Sequence, residues 1–203
     1  MEKIKIKNEK FFKSKLQMVI YSILFVILIA LFIYIGAQDY NSSIPDNERF
    51  ANEYRIVGKN NVFKYINVMD ARMIAGGKKG IVFLGNASSQ WAEYYASLVN
   101  EVAKEVGIET IYYYDFFKDR EQNNATYNKM VETLNDYIIK DDLGRTDIYA
   151  PSLLVVSNDK ILMFDTDTSF VLGNSTPANY WNYERRLEKM NELRAVFRTY
   201  LES

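Results

Sequence analysis

The stretch Gly80-Ile81-Val82-Phe83-Leu84-Gly85-Asn86-Ala87-Ser88-Ser89-Gln90-Trp91-Ala92 joins a short apolar run to the start of a long amphipathic one. Gly80 to Gly85 reads as a buried strand. After Trp91, Tyr94, Tyr95, Leu98, Val99, Val102 and Val106 fall at the i, i+3, i+4, i+7 spacing of one helical face, with Glu93, Asn100, Glu101, Lys104 and Glu105 turned outward. Gly107 stops that helix, since a residue without Cβ accepts the left-handed conformation of a C-terminal cap. Glu109 to Tyr114 is β-branched and aromatic and predicts a second strand, parallel to the first, so the stretch is the centre of a β-α-β unit.

Working outward toward the C-terminus, Lys118 to Asn124 is a charged, amide-rich loop. Ala125 to Ile139 carries Tyr127, Met130, Val131, Leu134, Tyr137 and Ile138 at helical spacing. Asp141-Asp142-Leu143-Gly144-Arg145 leads to Tyr149-Ala150-Pro151, which opens an apolar strand to Val156. Ser157 to Lys160 is a tight turn, and Ile161 to Phe164 a final strand. Asp141-Asp142 and Asp165-x-Asp167 are solvated turns, because the longer Asp/Asn/Gly pattern of a calcium loop is missing. Thr166 to Pro177 is a loop. Ala178 to Ser203 is one long helix with Tyr180, Tyr183, Leu187, Met190, Leu193, Val196, Phe197 and Tyr200 as its core stripe, and with Arg185, Arg186, Glu188, Lys189 and Glu192 on its wet face. Toward the N-terminus, Val62 to Ile66 is a first strand and Asn67 caps a helix from Val68 to Ala75, closed by Gly76-Gly77. Asp46 caps a helical turn to Tyr54, with Phe50 and Tyr54 facing the domain or the bilayer surface.

The element order, Gly85 shortly before the helix, Trp91 inside its first turn and Ala150-Pro151 ahead of the late strand together resemble the thioredoxin-like family over roughly residues 62–164. That resemblance implies an α/β, three-layer fold, a central mixed sheet with flanking helices. It places the family's Cys-x-x-Cys motif on Ser89-Gln90-Trp91-Ala92, so Ser89 and Ala92 stand where the two cysteines would be, and Phe83 where many members carry a buried acid. It also implies a cis Ala150-Pro151 bond. The residue before that proline offers its backbone to an extended peptide, which makes Gln90, Trp91, Ala150 and Pro151 the candidate peptide-binding residues. Trp91 is either an anchor at the lip of that groove or folded onto the domain's own surface.

The N-terminal appendage is a separate matter. Leu16 to Gln38 are 23 residues without a charge, about 35 Å as a helix against a hydrocarbon core of about 30 Å. The preceding arm holds Lys3, Lys5, Lys7, Lys10, Lys13 and Lys15 against Glu2 and Glu9, which keeps the N-terminus in the cytoplasm by the positive-inside rule. A cleaved signal peptide fits less well, since the run exceeds the usual apolar segment and the small-residue site near Ala37 has Ile35 at its −3 position. The expected organisation is a basic cytoplasmic arm (1–15), one transmembrane helix in the lipid bilayer (16–38), a tether with a short helix (39–61) and an extracytoplasmic thioredoxin-like domain (62–203).

Composition limits the chemistry. The 203 residues include no Cys and no His, so there is no thiolate, no disulfide, no imidazole base and no His or Cys metal ligand. Ser89 cannot exchange disulfides, and as a nucleophile it would need Lys or a carboxylate as its base; Lys78 and Lys79 lie in the loop before the strand, without an oxyanion signature. Ser88 or Ser89 reads instead as an N-cap. Beyond the arm the chain carries 19 basic and 24 acidic residues, which disfavours a nucleic-acid partner. No metal and no cofactor is implied. Two functions are expected: a membrane-anchored, redox-inactive thioredoxin-like domain that binds extracytoplasmic peptides or a membrane protein, or a thiol-disulfide oxidoreductase similar to the membrane-anchored Gram-positive type, bacteriocin transport accessory proteins included, whose two cysteines were replaced naturally or by engineering.

Overall fold

The computed structural model describes residues 17–34, 44–140, 144, 146–166 and 175–203. The basic arm, residues 16 and 35–38 of the uncharged run, residues 39–43 of the tether, Asp141-Asp142 and residues 167–174, Asp167 among them, lie outside the described residues. The chain divides into two compact units, Met1–Pro45 and Asp46–Ser203.

In the first unit, helix α1 covers Gln17–Tyr34, 18 residues with a mean hydropathy of 2.5 and none buried, and is long and apolar enough to cross a membrane. Within it the Ser22 hydroxyl donates to the Met18 carbonyl at 2.9 Å, so that hydroxyl is satisfied along the helix itself.

The second unit is a mixed α/β domain. In chain order it contains α2 (Asp46–Glu53), β1 (Phe63–Tyr65), α3 (Val68–Ala75), β2 (Gly80–Gly85), α4 (Gln90–Val106), β3 (Ile111–Asp115), α5 (Phe117–Glu121), α6 (Ala125–Thr133), β4 (Ser152–Ser157), β5 (Lys160–Asp165), α7 (Pro177–Tyr180) and α8 (Tyr183–Glu202). The five strands form one sheet in the order β1-β3-β2-β4-β5. β1 and β2 run parallel to β3, while β4 is antiparallel to β2 and to β5. All residues of β2 and β4 are buried, as expected for central strands covered on both faces. One face carries α2, α4 and α8 over Ile81, Phe83, Tyr113, Leu153 and Val155. The other carries α3 and α6 over Val82, Leu84, Tyr114, Leu154 and Val156.

The local signals act as their chemistry requires. Asn67 accepts from the N–H groups of Met69 and Asp70 at the start of α3, and Gly107 closes α4 at φ 89°. Gly85 is dictated by packing. A Cβ there would lie 2.6 Å from the Tyr54 hydroxyl and 2.8 Å from the Tyr113 ring, closer than any side chain tolerates.

Several expectations are corrected. The charged stretch from Lys118 is not a loop throughout: α5 forms there, its entry held by Asp115, whose Oδ1 accepts the Phe117 N–H at 3.0 Å. α6 ends at Thr133 rather than Ile139. The C-terminal helix is two helices, because the chain breaks at Trp181-Asn182 and Asn182 caps a new helix by accepting from the Arg185 N–H. On α8, Tyr183 and Leu187 are exposed and Lys189 is buried, the reverse of the expected stripe at those three positions. Asp165 is buried rather than a solvated turn. Asp46 is the first residue of α2, and its carboxylate accepts the Tyr65 N–H at 3.2 Å. Phe50 and Tyr54 face the domain, both fully enclosed in the aromatic core, so the compact unit takes in the short helix that the sequence had assigned to the tether.

Candidate functional site

The C-terminal end of β2 turns into α4 through Asn86-Ala87-Ser88-Ser89. The Asn86 side chain accepts the Ser88 N–H at 2.8 Å and its carbonyl accepts the Ser89 N–H at 2.9 Å. Ser89 is the N-cap of α4: its hydroxyl accepts the Ala92 N–H at 3.3 Å and its carbonyl the Glu93 N–H at 3.2 Å. Ser89 and Ala92 are therefore one helical turn apart at a helix start, with Ala92 fully buried. Gln90 is exposed. Trp91 is half-buried and packs edge-on against Tyr180, ring centroids 5.5 Å apart. Glu93 lies in the first turn, where the helix dipole favours a carboxylate, and accepts the Ile56 N–H at 3.0 Å.

The antiparallel register brings the second half of the candidate site to the same end of the sheet. Leu84 pairs with Ser152, so the next step sets Pro151 beside Gly85 and the start of the α4 loop. The Ala150-Pro151 bond is cis. Ala150 is half-buried, and neither its N–H nor its C=O makes a hydrogen bond among the described residues. A backbone pair left open beside a sheet is a ready partner for an added strand.

Among the described residues the Ser89 hydroxyl makes no hydrogen bond to a lysine or a carboxylate. Lys79 precedes β2, about 17 Å of strand away from its other end, and its ammonium donates to the Ser203 carbonyl while lying 4.8 Å above the Tyr200 ring. Among the described residues no group of three or more carboxylates is placed to hold a metal ion.

Two other places hold concentrated polar chemistry that the sequence reading did not single out. The first is a buried cluster under α8, in which the Tyr95 hydroxyl donates to Asp165 and Lys189 reaches the same Asp165 oxygen at 2.9 Å and Glu192 at 2.7 Å. The Trp181 ring stacks on Tyr95, and its indole N–H is enclosed without a hydrogen bond among the described residues. The available signal was that Lys189 precedes Leu193 and Phe197 by four and eight residues, on their face of the helix. The second is a cavity of about 660 Å³ at the carboxyl ends of β1 and β3, lined by Arg49, Glu53, Tyr65, Asp70, Asp115 and Asp119 among others. Burial first, then the neighbouring Glu53 carboxylate, pushes the Tyr65 phenol above its ordinary range.

No protein-family model matches this chain, and no curated protein does. The functional reading accordingly rests on the residues and their geometry.

Proposed function

We propose that this chain is a membrane-anchored, redox-inactive domain of thioredoxin-like type that binds extended peptide segments on the extracytoplasmic side, free or as part of a membrane protein. The observation that carries the reading is Ala150, half-exposed, whose backbone N–H and C=O make no hydrogen bond among the described residues, at the same end of the sheet as the capped start of α4. The β2-α4-β3 unit, the cis proline ahead of β4 and flanking helices on both faces of a mixed sheet support the thioredoxin-like assignment. Helix α1 supports the anchor, and the six-lysine arm supports a cytoplasmic N-terminus. Without a thiol the domain holds its partner by hydrogen bonds and packing alone, as in strand addition.

The test uses the full chain in neutral-lipid nanodiscs and a permanently unfolded probe, reduced and carboxymethylated α-lactalbumin, with affinity measured by interferometry. Ala150→Pro deletes the open N–H and is expected to weaken binding about tenfold, the scale of one lost hydrogen bond at a desolvated contact. Unchanged affinity in a variant of native circular dichroism would overturn the reading.

A second reading keeps the oxidoreductase alternative, favoured by Ser89 and Ala92 standing one turn apart at the N-terminus of α4. Sulfurs at these positions would meet the spacing a disulfide needs and the dipole that lowers a thiol pKa. Sequencing the native gene at codons 89 and 92 separates the two readings.

A further inference from the structure

The 660 Å³ cavity takes none of its lining from Ser89, the α4 cap, or from Ala150. Its size lies within the range of small-ligand pockets. Its position is also informative. β2 and β3 are neighbours, yet β2 leads to α4 on one face of the sheet and β3 leads to α5 and α6 on the other. Open α/β sheets take ligands in the crevice outside the carboxyl ends of strands at such a reversal. Ala87, from the loop after β2, and Asp115, at the end of β3, both line the cavity there.

The lining selects one charge. Glu53, Asp70, Asp115 and Asp119 face Arg49 alone as a cation. Asp70, Asp115 and Asp119 form no ion pair among the described residues. Asp119 accepts from the Tyr114 hydroxyl at 2.7 Å and Asp115 from the Phe117 N–H, whereas the Asp70 carboxylate makes no hydrogen bond among the described residues. An aromatic wall completes the site. The Arg49 guanidinium lies 3.8 Å from the Tyr65 ring centroid, so the aromatic face beside the carboxylates is one that already holds a planar cation, with the Glu53 carboxylate next to the enclosed Tyr65 hydroxyl. Ile66 and Val68 add apolar surface for a methylene stem.

We propose that this cavity binds a cation carried on an apolar stem, the guanidinium or ammonium of a basic side chain in a peptide. The inference rests on the peptide-binding reading for the source of that side chain, while the cavity's preference for a cation stands on its own lining. Asp70 is the main anchor, because its carboxylate is the one left without a hydrogen bond, and Tyr65 with Ile66 and Val68 flanks the stem.

The experiment titrates N-acetyl-argininamide, N-acetyl-lysinamide and the neutral N-acetyl-citrullinamide into the full chain in phosphatidylcholine nanodiscs, read by calorimetry and by backbone amide shifts. At least one cationic probe is expected to saturate with shifts at Ile66, Asn67 and Ala87, and the citrulline compound is not. Comparing the two cationic arms tells guanidinium from ammonium. Asp70→Asn should weaken the cationic probe about tenfold, the scale of a lost charge-assisted hydrogen bond, and Tyr183→Ala, at an exposed position of α8, should leave it unchanged. Asp115→Asn serves if Asp70→Asn fails to fold. Equal binding of citrulline, no saturable binding, or full affinity in the Asp variants would overturn the proposal. The two tests fail separately: cationic probes that bind when unfolded α-lactalbumin does not leave the cavity assignment standing without the groove, and the converse leaves the groove without the cavity.

Discussion

On β2, Ile81 and Phe83 turn to the face covered by α4 and α8, while Val82 and Leu84 turn to the face covered by α3 and α6, and β4 repeats the division. The first face encloses its polar groups. The Tyr54 and Tyr113 hydroxyls bond each other at 3.1 Å inside a cluster with Phe50, Phe63 and Phe83, and Lys189 and the Tyr95 hydroxyl both bond Asp165. The second face is mostly aliphatic, and its tyrosines pass their hydroxyls outward to rim carboxylates, Tyr114 to Asp119 and Tyr127 to Asp147. Both faces use tyrosine for bulk. Where the hydroxyl ends decides whether a face tolerates substitution or depends on every partner being present.

The largest expected effect comes from breaking the enclosed pair. The Lys189 and Asp165 side chains are 8% and 5% exposed, so Lys189→Ala takes the cation from beside a buried carboxylate that Tyr95 still bonds, and a loss of about 3–5 kcal/mol in urea unfolding is expected. Lys189→Met combined with Asp165→Leu should recover most of it. An equal loss in the single and double variants would mean that α8 is held by packing alone, and the contrast between the faces would lapse.

A smaller effect depends on pH. Burial is the main cause that lifts the Tyr54 and Tyr113 phenols above their ordinary value near 10. A group whose folded pKa is raised stabilises fully below its unfolded pKa, so stability holds up to about pH 10 and then falls, because only the unfolded chain ionises. Each such tyrosine contributes a slope of about 1.4 kcal/mol per pH unit above that point. Tyr113→Phe should cost about 1 kcal/mol at pH 7 and make the alkaline decline shallower. Denaturant midpoints between pH 8 and 11.5 measure both, and an unchanged alkaline slope would remove Tyr113 as a contributor.

The smallest effect lies at the edge where the two faces meet. Ser89→Ala removes the N-cap of α4 and should cost about 1 kcal/mol, within the usual range of about 0.5–2 kcal/mol. A loss well above that range in thermal unfolding would point to a structural duty for the hydroxyl beyond capping.

The sequence was most legible where a single residue type has one local use. Asn67 and Ser89 cap, Gly107 takes the left-handed terminus, and Ser157-Asn158-Asp159-Lys160 turns, with Asn158 and Asp159 at φ 52° and 58°. It was least legible where tertiary contacts outweigh hydrophobicity. Lys189 reads as surface until Asp165, distant in sequence, supplies its counter-charge. α5 reads as loop because its charged residues show no apolar period, yet Tyr114 bonds Asp119 and the Arg120 guanidinium lies 5.3 Å from the Phe116 ring, fastening the turn from outside. The cavity was invisible for a related reason. Its walls come from α2, β1, α3, β3, α5 and the loop after β2, which no spacing rule draws together.

The two tryptophans give the chain a built-in optical readout. Trp181 is enclosed against Tyr95, in surroundings that shift indole emission to shorter wavelength, and it follows the Lys189 cluster. Trp91, half-buried on Tyr180 in the first turn of α4, emits from a wetter setting beside the proposed peptide edge. Trp91→Phe and Trp181→Phe would separate the two signals, so that core loosening and occupancy of the edge can be followed in one cuvette without an added label.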